Sequence, residues 1–400
     1  MEKKSLGDLI RKKAEEKKVK EKEIKKLDPG KSSKPSSRSN SIKRRSSSVK
    51  KTSSSKKITN SPINKKSSSK VASRNSSRNN SRSRRSSNSS SRRNSPHSSN
   101  KATQSQFFKK KYKCIKTYSN AHSDFIEKLI LLKNGKIVSC SSDFTIKLWD
   151  ITDSSKKSIQ IYKGHTNAVT GVIQYTNTHI ISISKDKTIR KWNINSGKEV
   201  YCYELNNPFL SICVASDTVV ACAGGDKTIR FYDLSTDKDT EELGTLSGHQ
   251  EQINCLIQID NNRIASGSSD KSIRFWDVNK KSHLFTLEGH TLDVVCLKVL
   301  KDKRFASGGY DNCIIIWNTE KRDIEMKFEG HTGHVLCIEQ LPDERLISGG
   351  SDWSMIIWNM TTTAVDATIE GHQEAVSSIV ITKEGQIVSG SRDQGIKVWE

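Results

Sequence analysis

From Cys114 onward, short apolar strings alternate with short polar turns. Ile273-Arg274-Phe275-Trp276 and Ile314-Ile315-Ile316-Trp317 are rich in β-branched and aromatic residues, a composition that suits strands. The intervening SSDK, GYDN and GSDW hold Ser, Asp, Asn and Gly, which supply local hydrogen bonds or tolerate positive φ. Around Asp311 the pattern predicts four strands: 294–297, 304–307, one after the turn aspartate, and 323–328.

This unit repeats. The turn aspartates are Asp143, Asp186, Asp226, Asp270, Asp311, Asp352 and Asp393, spaced by 43, 40, 44, 41, 41 and 41 residues. An aromatic residue lies six positions after each: Trp149, Trp192, Tyr232, Trp276, Trp317, Trp358 and Trp399. Gly-His precedes the first strand at His165, His249, His290, His331 and His372, and Ala121-His122 stands there in the first copy. The third copy has no histidine, and Cys222 and Tyr232 replace its serine and tryptophan. A fixed period near 41 residues with four strands per unit marks an internal repeat of one β unit.

With these landmarks the chain resembles the WD-repeat family over roughly residues 110–400. The resemblance implies an all-β, seven-bladed β-propeller. It also implies a buried hydrogen-bonded set in each blade, made by the Gly-His histidine, a strand serine, the turn aspartate and the tryptophan. Carried over, the sets are His165, Ser182, Asp186 and Trp192; His249, Ser266, Asp270 and Trp276; and His290, Ser307, Asp311 and Trp317. Two more are His331, Ser348, Asp352 and Trp358, and His372, Ser389, Asp393 and Trp399. The last copy ends after Trp399 without a fourth strand, and residues 112–118 read as the strand that completes it.

Charge divides the chain. Residues 1–100 hold 31 Lys and Arg against 7 Asp and Glu, which is +24, the net charge of the whole chain; residues 101–400 balance at 37 against 37. Residues 29–100 contain 29 serines and no acid, and no aromatic residue precedes Phe107. Such a segment has too little apolar surface to offset chain entropy, so residues 29–106 are expected to be a disordered basic extension. Residues 1–28, rich in Lys, Glu and Leu, favour a charged helical segment; residues 107–400 form the propeller domain. Arg-Arg-x-Ser motifs make Ser47, Ser87 and Ser95 candidate phosphorylation sites, and Ser61-Pro62 adds Ser61. Each phosphate would add about −1.5 to −2 charges, which makes the extension a candidate electrostatic switch. Unmodified, it would make salt-sensitive contacts with acidic surfaces or nucleic acid.

Ser266, His249 and Asp270 are the residue types of a nucleophilic triad, but a set that recurs in register with a tryptophan reads as scaffold. Nine cysteines without a C-x-x-C pair suggest neither a disulfide framework nor a zinc site. No cofactor or metal is expected, and no apolar run is long enough for a signal peptide or an integral membrane segment. The expected location is cytoplasmic, with Lys43–Arg45 and Lys109–Lys111 as candidate nuclear import signals.

The function expected is a non-enzymatic scaffold or adaptor for other proteins or peptide segments. Residues before or beside the turn aspartates that break the repeat are its candidate partner-binding positions: Lys185, Tyr310, Trp353 and Arg392, the first, second and last as one cationic and aromatic patch. Two alternatives are a substrate-recognition subunit of a ubiquitin ligase, since SGSRDQGIKVW looks like blades of F-box WD-repeat subunits, and a cytoskeletal or chromatin tether acting through the basic extension. The sequence leaves the oligomeric state open.

Overall fold

A computed structural model describes residues 111–236 and 242–400. The segments 1–28 and 29–106 lie outside the described residues, together with Ser47, Ser61, Ser87 and Ser95. Among the described residues, 28 strands form seven four-stranded sheets. Six sheets take their strands in chain order: blade 1 within 126–162, blade 2 within 169–204, blade 3 within 209–247, blade 4 within 253–288, blade 5 within 294–329 and blade 6 within 335–369. The seventh joins Val376–Ile381, Ile387–Ser391 and Ile396–Trp399 to Cys114–Tyr118, which pairs antiparallel with Ile396–Trp399. Mutual backbone bonds between Lys113 and Glu400, at 2.8 and 3.0 Å, extend this ladder. The Tyr112 hydroxyl then accepts from Arg345 of blade 6 at 2.9 Å. The first strand of each blade lies against that of the next, and blade 7 against blade 1, so the ring is a closed seven-bladed propeller.

The core sits between blades, and strand alternation explains why. In His179–Ser184, Ile180 packs with Val138, Leu148 and Tyr162 of blade 1. Its neighbours Ile181 and Ile183 point the other way and pack with Phe209, Ile212 and Tyr232 of blade 3. Both faces of a middle strand are therefore buried, and the middle strands read as continuous apolar runs. The serines among them stay dry and must find internal partners.

Every first strand carries a register shift near its start, between Ile126 and Lys128 in blade 1 and at the equivalent place in the other six. A bulge re-aims the extra residue. Thr170, Asn254 and Ser377 occupy this position and hydrogen-bond to the first strand of the next blade, at Phe209, Val294 and Ile126 respectively. Leu210, Val295 and Leu336 occupy it in blades 3, 5 and 6, half-buried.

Candidate functional site

The repeated polar residues meet between the second and third strands of six blades. The tryptophan indole N–H donates to the serine Oγ at 2.7–2.9 Å. Serine Oγ and histidine Nε2 are 2.6–2.7 Å apart. Histidine Nδ1 lies 2.7–2.9 Å from the turn aspartate. The five sets carried over from the family resemblance are all present, and His122, Ser139, Asp143 and Trp149 make a sixth. Sequence reasoning passed over one further member, the hydroxyl two residues after the aspartate. Thr145, Thr188, Ser272 and Ser354 donate to its Oδ1 at 2.6–2.8 Å. Its signal was the Ser or Thr recurring there.

A neutral histidine with its proton on Nδ1 satisfies every group: Trp N–H to Ser, Ser O–H to Nε2, Nδ1–H to Asp. The Asp–His–Ser geometry is that of a nucleophilic triad, but its environment is not. All six serines are 0% exposed, and each Oγ is already held by an indole. No substrate carbonyl reaches them, so the arrangement serves the fold.

Burial alone would raise the Asp270 carboxyl, but hydrogen bonds from His249, Ser272 and the Gln250 N–H outweigh it and hold the group far below the usual carboxylate range. At Asp393 burial is opposed by His372 and the N–H groups of Gln373 and Gly395, with no hydroxyl, and the carboxyl is left at about 2. Burial also lowers His122 and His165 from 6.5. Just below pH 6.5 these two histidines bind fewer protons folded than unfolded, so stability falls as pH drops through that range. It falls further once unfolded-state carboxylates protonate near 3.8. Burial raises Tyr118 and Tyr162 from 10.0, and Cys213 and Cys255 from 9.0, all to about 12. These groups ionise first in the unfolded chain, so stability also falls above about pH 9. The melting midpoint should therefore be level between about pH 7 and 9 and decline on both sides. A midpoint constant from pH 5 to 10 contradicts this account.

Blade 3 replaces the network with an ion pair and aromatic packing. Asp226 accepts from Arg230 at 3.0 Å, and Arg230 also reaches Glu242 at 2.9 Å. Tyr232 packs between Tyr203 and Phe209, with ring centroids 5.6 and 6.1 Å away.

The turn aspartates and Gly-His loops share one face of the ring. In six blades the residue before the aspartate donates its N–H to the carbonyl preceding the first strand, at 2.8–2.9 Å. This places Ser142, Lys185, Ser269, Tyr310, Ser351 and Arg392 beside the mouth of the central channel. The residue after the aspartate has φ between 63 and 70° in all seven blades. Lys and Asn tolerate this left-handed conformation better than an aromatic ring does; the exceptions are Phe144 and Trp353. Trp353 is 50% exposed and Tyr310 37%.

Lys185, Tyr310 and Arg392 sit on blades 2, 5 and 7 and do not form one patch. Arg392 lies over Phe125 of blade 1, 5.7 Å from the ring centroid. Tyr310 packs on His334 of blade 6 with centroids 4.4 Å apart, and His334 Nδ1 donates to the Tyr310 carbonyl at 2.8 Å. The contacts of His334 with Tyr310 and of Phe125 with Arg392 escaped the sequence reading because they arise between blades. On the opposite face, a cavity of about 880 Å³ between blades 4 and 5 is lined by Phe275, Phe285 and Phe305, but its charged wall is largely paired internally, Arg263 with Asp260 and Arg304 with Asp302.

A family model described as "WD domain, G-beta repeat" matches residues 112–150, 156–193, 240–277, 281–318, 323–359 and 365–400. The chain belongs to the WD-repeat family. The gap between matches, 194–239, holds the first three strands of blade 3, which lacks the histidine, serine and tryptophan although its four strands are formed. Among curated WD-repeat relatives, "Small ribosomal subunit protein RACK1" of Drosophila melanogaster is 30% identical over 175 residues, 41% of this chain and 54% of that protein. The "Guanine nucleotide-binding protein subunit beta-like protein" of Encephalitozoon cuniculi is 30% identical over 181 residues, 43% of this chain and 40% of that protein. This chain thus spans about half or less of the length of these relatives. The crystal structure of the WD40 propeller domain of Doa1 superposes with a TM-score of 0.64 at 22% identity, over 72% of this chain and 97% of that one, a likeness of fold. Among the described residues no His, Cys, Asp and Glu cluster has the arrangement of a metal site, and no helix is long and apolar enough to cross a membrane.

Proposed function

We propose that the chain is a non-enzymatic interaction scaffold whose WD-repeat propeller docks segments of other proteins on the turn-aspartate face, with the basic extension 29–106 as a phosphorylatable tether. The carrying observation is the contrast on that face. The network beneath it repeats blade after blade, while Tyr310 and Trp353 above it break the repeat and are exposed. Tyr and Trp dominate interface energetics because they bury large, rigid area with a polar handle. Membership of a family built from interaction propellers is consistent with this reading, since fold alone does not name a function.

The test is proximity labelling with the full chain and with its Tyr310→Ala/Trp353→Ala variant. Both side chains are exposed, so the variant should melt within about 2 °C of the parent. Most proteins labelled by the parent should be missing from the variant's set. Two identical sets at equal stability would remove the face from the docking role.

A further inference from the structure

The turn face is chemically divided. The residues flanking the turn aspartate are Lys185 and Lys187 on blade 2, Gly225 and Lys227 on blade 3, and Ser269 and Lys271 on blade 4. On blades 5 and 6 they become Tyr310, Asn312, Ser351 and Trp353. Lysines thus occupy three consecutive blades, and the exposed aromatics of this face flank them, Tyr310 and Trp353 on blades 5 and 6 and Phe144 on blade 1.

The charge on the lysine side is uncompensated. Lys227 pairs with Glu251 at 3.3 Å, but among the described residues Lys185, Lys187 and Lys271 have no ion-pair partner. The nearby carboxylates are committed elsewhere. Asp186 and Asp270 each accept from an imidazole, a hydroxyl and backbone N–H groups. Asp293 accepts from Ser269 at 2.6 Å. Glu204, Glu288 and Glu370 are exposed but stand at the ends of outer strands, away from the channel mouth. Glu204 comes nearest, since the Leu205 N–H donates to the Lys187 carbonyl at 2.7 Å, yet it makes no ion pair with the lysine among the described residues. The aromatic side is continuous with apolar surface. Leu292 is exposed beside Asp293, and Val295 and Leu336 hold the bulge positions of blades 5 and 6.

Resting on the docking reading above, we infer that the partner is an extended protein segment rich in Asp and Glu. It lays its carboxylates along blades 2 to 4 and sets a bulky apolar side chain against Tyr310, His334 and Trp353. Separated ammonium groups on successive blades suit carboxylates spread along a chain; a phosphate would call for a convergent, forked arginine site. Three free lysines beside exposed Leu292 and Trp353 are too short a basic track for a nucleic-acid backbone. Residues 29–100 of this same chain contain no Asp or Glu, so they offer none of the carboxylates this occupant needs.

A random dodecapeptide library selected on the full chain, with the Tyr310→Ala/Trp353→Ala chain as counter-selection, tests this, because peptides held by the basic extension drop out. The survivors should carry several Asp or Glu residues and one bulky apolar residue. In 0.15 M salt, Lys185→Glu with Lys271→Glu should weaken them about tenfold or more, while Lys383→Glu on the opposite face leaves them unchanged. Neutral or basic survivors indifferent to the charge reversals overturn the acidic partner and leave the docking face standing. Survivors that bind more than tenfold tighter with phosphoserine in place of their acids overturn the assignment to carboxylates. If every selected peptide is held equally by the Tyr310→Ala/Trp353→Ala chain, the docking reading itself fails.

Discussion

Removing residues 1–118 should lower the melting midpoint by about 10 °C or more, or leave no cooperative transition, whereas removing residues 1–106 should leave it within about 2 °C. The difference is one strand. Cys114–Tyr118 pairs with Ile396–Trp399 and carries Tyr118, which is buried with Ile126, Trp149, Val388 and Val398 where blades 7 and 1 meet. Losing one buried aromatic of this size costs about 3–5 kcal/mol, a large share of a domain's net stability. The shorter chain also exposes the backbone groups of Ile396–Trp399 as a new edge, a template for pairing with other chains. Equal midpoints for the two truncations would show that the clasp is dispensable.

Asp270→Ala should cost about 3 kcal/mol in urea unfolding, and Asp226→Ala only about 1 kcal/mol. The residues are equivalent in the repeat but not in surroundings. Asp270 takes bonds from His249, Ser272 and the Gln250 N–H, and the imidazole it holds is buried, so its loss strands donors that water cannot reach. Asp226 meets a partly exposed guanidinium that keeps Glu242 when the aspartate is gone. The relevant reading is the shift in the urea midpoint at unchanged slope. Equal shifts at the two sites would mean that the network adds nothing beyond an ordinary turn aspartate.

The seven blades were legible because turn chemistry and strand composition recur at a nearly constant period. Local information suffices for such a fold: each unit announces its own turn and its own four strands. The members of the buried network could be placed in register for the same reason, and Thr145 or Ser272 could have been added from their spacing. Residues that meet across blades were a different matter. Equivalent positions in a repeat share a height above the ring but differ in angle around it. Lys185, Tyr310 and Arg392 looked like one patch on the first criterion and are separated by the second. Arg392 finds Phe125 only because the ring closes, and Tyr310 finds His334 only because blade 6 follows blade 5. The stacking of Phe275 on Phe285, at 4.4 Å, with Phe305 of the next blade edge-on at 5.2 Å, is equally invisible to a periodicity count.

The pairing of Tyr118 with Ile396 joins positions about 280 residues apart. During synthesis the first partner leaves the ribosome long before the second exists. At about 5–20 residues per second the wait is roughly 15 to 60 seconds. Throughout it Tyr118 and the apolar face of blade 1 stay uncovered, while blades 2 to 6 can assemble on their neighbours. The nascent chain is thus an open arc with sticky ends, and its completion is the slow, long-range event in folding. Substitutions at Tyr118 or Val398 would then be felt first in the yield of soluble protein at high expression, before any change in the finished ring is measured.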